Sequence, residues 1–348
     1  MKADSPRRAR QTIVTAAKIA LALAILAFLV VQVQRHEGFS RLIEQPKQWG
    51  LIATGLASIF ISTALSFLRW HLLIRALDLP VRLVDSMWLG SLGFALNFVS
   101  LGSVGGDLFK AAFLAHRQPG RRTLAVASVI ADRVVGLLTH LTIASGGILA
   151  ANLLERSSAD LIFFCRVILI ATAIGWGGLI LLFAAPRLSG PGASALVGAI
   201  PLVGDTFARL LGALRAYRDH KGLLLAAGAV SGVGALFYIS SYYLVASGLP
   251  LEEPSWVEHL VVVPVASLAG AIPATPNGLG TQELALELLY RAIPSSGVLE
   301  GDGTMVALAQ RLTMMAVALI GLIFYLTHRA ELRQVYEEAE AAAESESI

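Results

Sequence analysis

WVEHLVVVPVASLAGAIPATPNGLGTQELALELLY, residues 256–290, decides the fold. Its outer parts are apolar enough to lie in a bilayer. Its centre, IPATPNGLGTQE at 272–283, carries Pro273, Pro276, Gly278 and Gly280. Proline and glycine free backbone donors and acceptors from a helix, and in hydrocarbon such groups are costly unless protein or a water-filled cavity satisfies them. The break is therefore read as a re-entrant loop or a discontinuous helix; the plain alternative is a helix–loop–helix hairpin at the surface.

A second interrupted stretch lies upstream. Residues 86–115 are apolar except for LGSVGGD at 101–107. The two breaks can be laid over one another, Ser103-Val-Gly-Gly-Asp107 on Gly278-Leu-Gly-Thr-Gln282. Farther on, Ala131-Asp132-Arg133 can be laid over Ala309-Gln310-Arg311. Each half then reads as a broken hairpin followed by a helix with an intramembrane arginine, which suggests an internal repeat.

The rest of the chain fits this frame. It has 348 residues, 56% hydrophobic and 15% charged, whereas soluble domains carry roughly 25% charged residues. Apolar segments long enough to cross a bilayer are read at about 13–33, 50–68, 123–150, 161–184, 222–247 and 304–327. The first has a basic flank and full spanning length with no A-x-A-type site after it, so a retained helix is expected rather than a cleaved leader. Segment 187–221 is basic and amphipathic, which suits the membrane surface.

Charge sets the orientation. With a cytoplasmic N-terminus, Lys2, Arg7, Arg8, Arg10, Arg69, Arg75, Arg82, Arg117, Arg121, Arg122, Arg187, Arg209, Arg215, Arg218, Lys221, Arg329 and Arg333 fall inside, against Arg35, Arg41, Lys47, Arg156 and Arg291 outside. The outer loop 248–258 has Glu252, Glu253 and Glu258 and no basic residue. This is the positive-inside pattern. The expected fold is an all-α polytopic membrane protein, with about six transmembrane helices and two re-entrant broken hairpins entering from opposite faces as an inverted repeat. Residues 1–12 form a basic cytoplasmic N-terminus, 13–330 the transmembrane domain and 331–348 an acidic cytoplasmic tail.

Ionisable groups within the apolar segments are the candidate site residues, because they are expensive there unless paired or hydrated. They are Asp107, Lys110, Asp132, Arg133, Glu283, Glu287 and Arg311, with Gln310 beside the last. Asp132 and Arg133 are adjacent, so they face different ways and each needs its own partner. Arg133 suits Asp107 or a lipid phosphate; Arg311 suits Glu283 or a phosphate. Glu283 and Glu287, four apart, read either as a hydrated face or as a proton-sharing pair. Asp107 reads as a helix cap or as part of the site. Gly105, Gly106, Gly278 and Gly280 would let backbone N–H groups approach an anion, as helix N-termini do.

Enzyme signatures are missing. The histidines show no HExxH or other ligand spacing, and no P-loop or GxSxG is present. The single cysteine, Cys165, supports neither a disulfide nor a Cys-rich metal site. No cofactor, metal or nucleic-acid partner is expected.

GGDLFKAAFL at 105–114, ASVIADRVVGLL at 127–138, IPATPNGLGTQE at 272–283 and AQRL at 309–312 resemble the lysylphosphatidylglycerol synthase transmembrane (flippase-like) family, the membrane half of the bacterial multiple peptide resistance factors. The resemblance covers roughly residues 15–330. It departs in detail: Asn277 stands where the family often has glycine, Asp132 where Glu is frequent, and Phe109-Lys110 where an Arg-containing pair is common. The family's best-known members add a soluble domain that moves an aminoacyl group from tRNA to phosphatidylglycerol, and nothing in 1–348 resembles it. The resemblance implies lipid handling at a bacterial inner membrane, not aminoacyl transfer. The expected function is translocation of a phospholipid or lipid-linked envelope precursor, with lipids as partners and Arg133 and Arg311 on the phosphate. The other reading is a non-transporting subunit that scaffolds a lipid- or glycan-modifying envelope enzyme.

Overall fold

A computed structural model describes residues 37–98, 105–118, 120–184, 217–272, 277–294, 297–319, 321 and 323. The first apolar segment, nearly all of the basic segment 187–221 and the acidic tail lie outside the described residues. Among the described residues every regular element is helical: α1 (Glu37–Glu44), α2 (Trp49–Arg75), α3 (Leu83–Asn97), α4 (Gly105–Arg117), α5 (Arg122–Ala150), α6 (Leu153–Arg156), α7 (Ala159–Ala184), α8 (Lys221–Ser247), α9 (Trp256–Gly270), α10 (Thr281–Ala292) and α11 (302–319).

Length sorts these helices into two kinds. Four are long and apolar enough to cross a membrane by length and composition: α2, α5, α7, and α8 with the 3-10 turn that precedes it. By contrast α3 and α9 have 15 residues each, and α4 and α10 have 13 and 12. At 1.5 Å per residue a 15-residue helix is about 22 Å long, short of the roughly 30 Å hydrocarbon core.

Each pair of short helices folds back as an antiparallel hairpin. In the first, Asn97 near the end of α3 accepts the Gly106 N–H at 2.9 Å through Oδ1. A Cβ added at Gly106 would lie 1.9 Å from the Gly93 carbonyl oxygen, so the arms touch backbone to backbone. In the second, a Cβ at Gly278 would lie 2.2 Å from the Gly270 oxygen, and His259 near the start of α9 meets the Tyr290 hydroxyl near the end of α10 at 2.8 Å. Glycine is required at these approaches because any side chain would push the arms apart.

The long helices α2 and α8 have 27 residues each and run antiparallel. The Gln48 N–H donates to Gly248 O at 2.9 Å, Ser241 Oγ donates to Gly55 O at 2.7 Å, and Arg69 Nη1 donates to Ser231 Oγ at 3.0 Å. As α2 advances, its partners recede along α8. Gly55 and Gly234 allow the close approach, with Val245 and Leu65 against them. Chain order therefore repeats: α2, hairpin α3–α4, helix α5; then α8, hairpin α9–α10, helix α11.

Burial follows the same division. Trp70, Leu73, Ile74, Leu92, Phe113 and Ala131 form one core around the first hairpin. Ile148, Cys165, Ile239, Val262, Leu286 and Tyr290 form another around the second. The outer surface of α7 is apolar: Phe163 is 70% exposed and Ile174 69%. A helix that is apolar and still uncovered is solvated by lipid rather than water.

Candidate functional site

The site grows from the two hairpins. Asp107 is the third residue of α4, and Glu283 is the third of α10. Each carboxylate receives an arginine from the helix that follows: Arg133 of α5 is ion-paired with Asp107, and Arg311 of α11 donates Nε–H to Glu283 Oε1 at 2.6 Å. The sequence overlay set Gln282 opposite Asp107. The structure shifts that register by one residue: the carboxylates that meet the two arginines are Asp107 and Glu283.

The residue before each arginine also has a corresponding tie. Asp132 is held by Arg69 of α2 through two parallel bonds, Nε to Oδ1 at 2.7 Å and Nη2 to Oδ2 at 3.0 Å. Gln310 donates to Ser241 of α8 at 2.9 Å. Arg69 and Ser241 are each the twenty-first residue of their helix, α2 (Trp49–Arg75) and α8 (Lys221–Ser247). Arg69 corrects the sequence reading, which ended the second segment near residue 68 and left Arg69 on the cytoplasmic side. The helix continues to Arg75, since Trp70, Leu73 and Ile74 keep the apolar period and are buried.

The two halves differ in access. The Arg133 side chain is 45% exposed and that of Arg311 is 9%. A cavity of about 500 Å³ lies between the hairpins, lined by Arg69, Asp107, Lys110, Asp132, Arg133 and His140, with Tyr238, Asn277 and Gln282 from the second half. Arg311, Glu283 and Gln310 do not line it. Lys110 closes the group: its ammonium lies 2.7 Å from Asp107 and 5.0 Å from the centre of the Trp70 ring. Among the lining residues three cations thus face two carboxylates, leaving a surplus positive charge beside a half-exposed guanidinium. Such a site favours an anion, and guanidinium matches the oxygens of phosphate or carboxylate.

The other candidates have local duties. The Gly106 N–H is taken by Asn97 and the Gly280 N–H by Glu283 Oε2 at 2.7 Å. Gly105 opens α4 next to Gly106. Glu287 accepts the N–H groups of Gly301 at 2.8 Å and Thr304 at 3.0 Å, capping α11. Glu283 and Glu287 thus have separate partners, and Glu283, 1% exposed, is not on the hydrated face that the sequence offered as the alternative to a proton-sharing pair. Asp107, offered as a helix cap, has Lys110 and Arg133 instead. Asn277, at the frequent glycine position, has φ 47°, a left-handed conformation that asparagine tolerates better than most residues. Its carbonyl accepts Arg311 Nη1 at 3.4 Å. Sequence reasoning passed over His140 and Tyr238. The signal for His140 was its spacing, seven residues after Arg133 and so on one helical face. No group of three or more His, Cys, Asp or Glu residues that could hold a metal occurs among the described residues.

Neither a comparison with curated proteins nor one with solved structures returned a match. The sequence does match the family described as Lysylphosphatidylglycerol synthase TM region over residues 16–321. That span contains both hairpins, both helices behind them and the cavity. The chain belongs to this family of multi-pass membrane proteins.

Proposed function

We propose that the protein translocates a lipid across the membrane by drawing its phosphate into the cavity between the two hairpins. The observation that carries this reading is Arg133: a guanidinium, 45% exposed, lining a cavity where three cations face two carboxylates. An intramembrane charge costs several kcal/mol unless something compensates it. Asp107 is its ion-pair partner, and a phosphate entering the cavity shares the guanidinium. Lys110 and Arg69 hold the two carboxylates, so Arg133 can turn from Asp107 to a phosphate without leaving the carboxylate unpaired.

The repeated order of α2–α5 and α8–α11, with α2 and α8 antiparallel, supports an inverted repeat whose hairpins are re-entrant. In this mechanism the halves exchange roles. Arg133 is accessible while Arg311 is sealed on Glu283; in the opposite state Arg311 opens and Arg133 closes. A ligand shifts such a pair of states by its differential affinity for them. Movement is passive or ion-coupled, as no nucleotide-binding motif is present in the chain. The positive-inside pattern supports an inner-membrane protein with both termini cytoplasmic. The family's name, that of a lipid synthase's membrane region, agrees with lipid handling; the chain is proposed to act without catalysing a covalent step.

The test is scrambling of head-group-labelled phospholipids in proteoliposomes, read by an impermeant reductant. The wild type is expected to expose more than the roughly half of label that sits in the outer leaflet. Arg133→Ala and Arg311→Ala are each expected to reduce the rate at least about tenfold, the scale of a lost charged hydrogen bond. Scrambling unchanged in both variants would overturn the reading.

A further inference from the structure

Beyond the phosphate site the cavity has a second pole, built from His140 of α5 and Tyr238 of α8. His140 Nδ1 lies 2.8 Å from Gly136 O. A carbonyl only accepts, so the neutral ring carries its proton on Nδ1 and leaves Nε2 as a bare acceptor. Nε2 has no hydrogen-bond partner among the described residues, and His140 lines the cavity. The Tyr238 ring stands edge-on to the His140 ring with centroids 6.3 Å apart.

The Tyr238 hydroxyl has capacity to spare. Its neighbours are Ser267 Oγ at 3.3 Å, Gln282 Nε2 at 3.4 Å and the Tyr242 hydroxyl at 3.4 Å. All are long against the roughly 2.7–2.8 Å usual for O–H···O bonds and the roughly 2.9–3.0 Å usual for N–H···O. Gln282 makes its short bond to Tyr242, at 2.7 Å, and Ser267 makes its own to Val263 O, at 2.8 Å. His140 and Tyr238 are therefore a bare acceptor and a loosely held hydroxyl that face the same space.

The same cavity joins this pole to Arg133. The two α5 residues are seven apart on one helical face, about 10 Å along the axis. Between them lies Gly136, against which the Arg69 guanidinium packs, its Nη1 3.3 Å from where a Cβ would stand. Resting on the reading of the cavity as a lipid-phosphate site, we propose that His140 and Tyr238 form a head-group subsite selective for an uncharged polyol esterified to the phosphate. A polyol supplies O–H donors to His140 Nε2 and both donors and acceptors to Tyr238. A trimethylammonium head has no donor to give. An ammonium head has donors but adds positive charge to a cavity whose lining cations already outnumber its carboxylates.

The test measures binding in detergent, so it does not depend on translocation. Affinities of short-chain phosphatidylinositol, phosphatidylglycerol, phosphatidylethanolamine and phosphatidylcholine are compared for wild type, His140→Ala and Tyr238→Phe, with thermal midpoints as a check on folding. The polyol lipids are expected to bind about tenfold tighter than the choline and ethanolamine lipids, one to two hydrogen bonds' worth. Either substitution should shrink that ratio to about two- or threefold. Equal affinities in the wild type, a ratio unchanged in both variants, or ethanolamine binding as tight as inositol would overturn the subsite. A polyol preference in protein that scrambles no lipid would sink the transport reading and leave the subsite standing.

Discussion

Arg69 and Asp132, 63 residues apart in sequence, meet through two parallel hydrogen bonds of 2.7 and 3.0 Å. Their side chains are only 14% and 7% exposed. A third arm of the guanidinium reaches Ser231, so one residue ties α2 to both α5 and α8.

That geometry predicts an asymmetric response to mutation. Removing one partner leaves the other charged and buried, a loss of about 3–5 kcal/mol. Replacing both by apolar residues of similar volume, Arg69→Met with Asp132→Leu, removes the charge problem together with the bond. Arg69→Ala and Asp132→Ala should each lower the thermal midpoint of detergent-solubilised protein sharply, and the apolar pair should recover most of the loss. Additive losses in the double variant would show that the two residues are not coupled.

The hairpin arms carry a second prediction. A methyl at Gly106 would collide with the Gly93 backbone, while one at Gly146 on α5 meets nothing within 4 Å. Gly106→Ala should destabilise by about 1–3 kcal/mol through overpacking. Gly146→Ala should be neutral or stabilise by up to about 1 kcal/mol through helix propensity. Asn277 adds the converse case: with φ at 47°, Asn277→Gly should be tolerated, and Asn277→Ala should cost about 1 kcal/mol. Thermal midpoints of these variants, ordered Gly146→Ala, Asn277→Gly, Asn277→Ala, Gly106→Ala from most to least stable, are the expected result.

Outside the membrane, the loop after α8 gives a pH prediction. Burial raises the Glu253 carboxyl above its ordinary value near 4.5, partly offset by the Ser247 hydroxyl, which donates to it at 2.7 Å. The native state thus holds the proton where the unfolded chain has released it. Linkage then makes this group's contribution fall as pH rises through the raised value and grow on acidification towards the ordinary one. Glu253→Gln keeps an acceptor for Ser247 and cannot titrate. Midpoints measured between about pH 4 and 7 should show wild type gaining on the variant as pH falls. A constant difference across that range would mean that Glu253 titrates alike in both states.

Much of this architecture is legible in the sequence because the bilayer leaves few options. An apolar run such as 123–150 has little choice but helix, and it is observed as Arg122–Ala150. The cluster of prolines and glycines at 273–280 reads as a break, and α9, which tolerates the lone Pro264, ends before it at Gly270. The pairings of Arg133 with Asp107 and of Arg311 with Glu283 follow from the same rule, since a charge at membrane depth needs a counter-charge nearby. What escaped was set by packing across long sequence distances. Arg69 resembles an interfacial arginine until α5 and α8 close around it. His140 and Tyr238 are common residues whose roles depend on which contacts are short and which are long. The one-residue offset between the halves arose because alignment by glycines follows the loops, whereas the carboxylates follow the arginines they pair with.

Access to the cavity is the last prediction, and the chain supplies its own control. Cys165, the single cysteine, is 0% exposed, so it should react little with an impermeant thiol reagent. Ser66 on α2 lines the cavity, and Ser66→Cys replaces one small side chain by another. The variant should label where wild type does not, and a lipid with a polyol phosphate head should slow the labelling. Slowing by that lipid but not by its detergent-like tail alone would tie the protected space to the head group. Labelling that no lipid alters would mean that the cavity is open to water and is not where the lipid passes, which would leave the hairpin arginines a purely structural part.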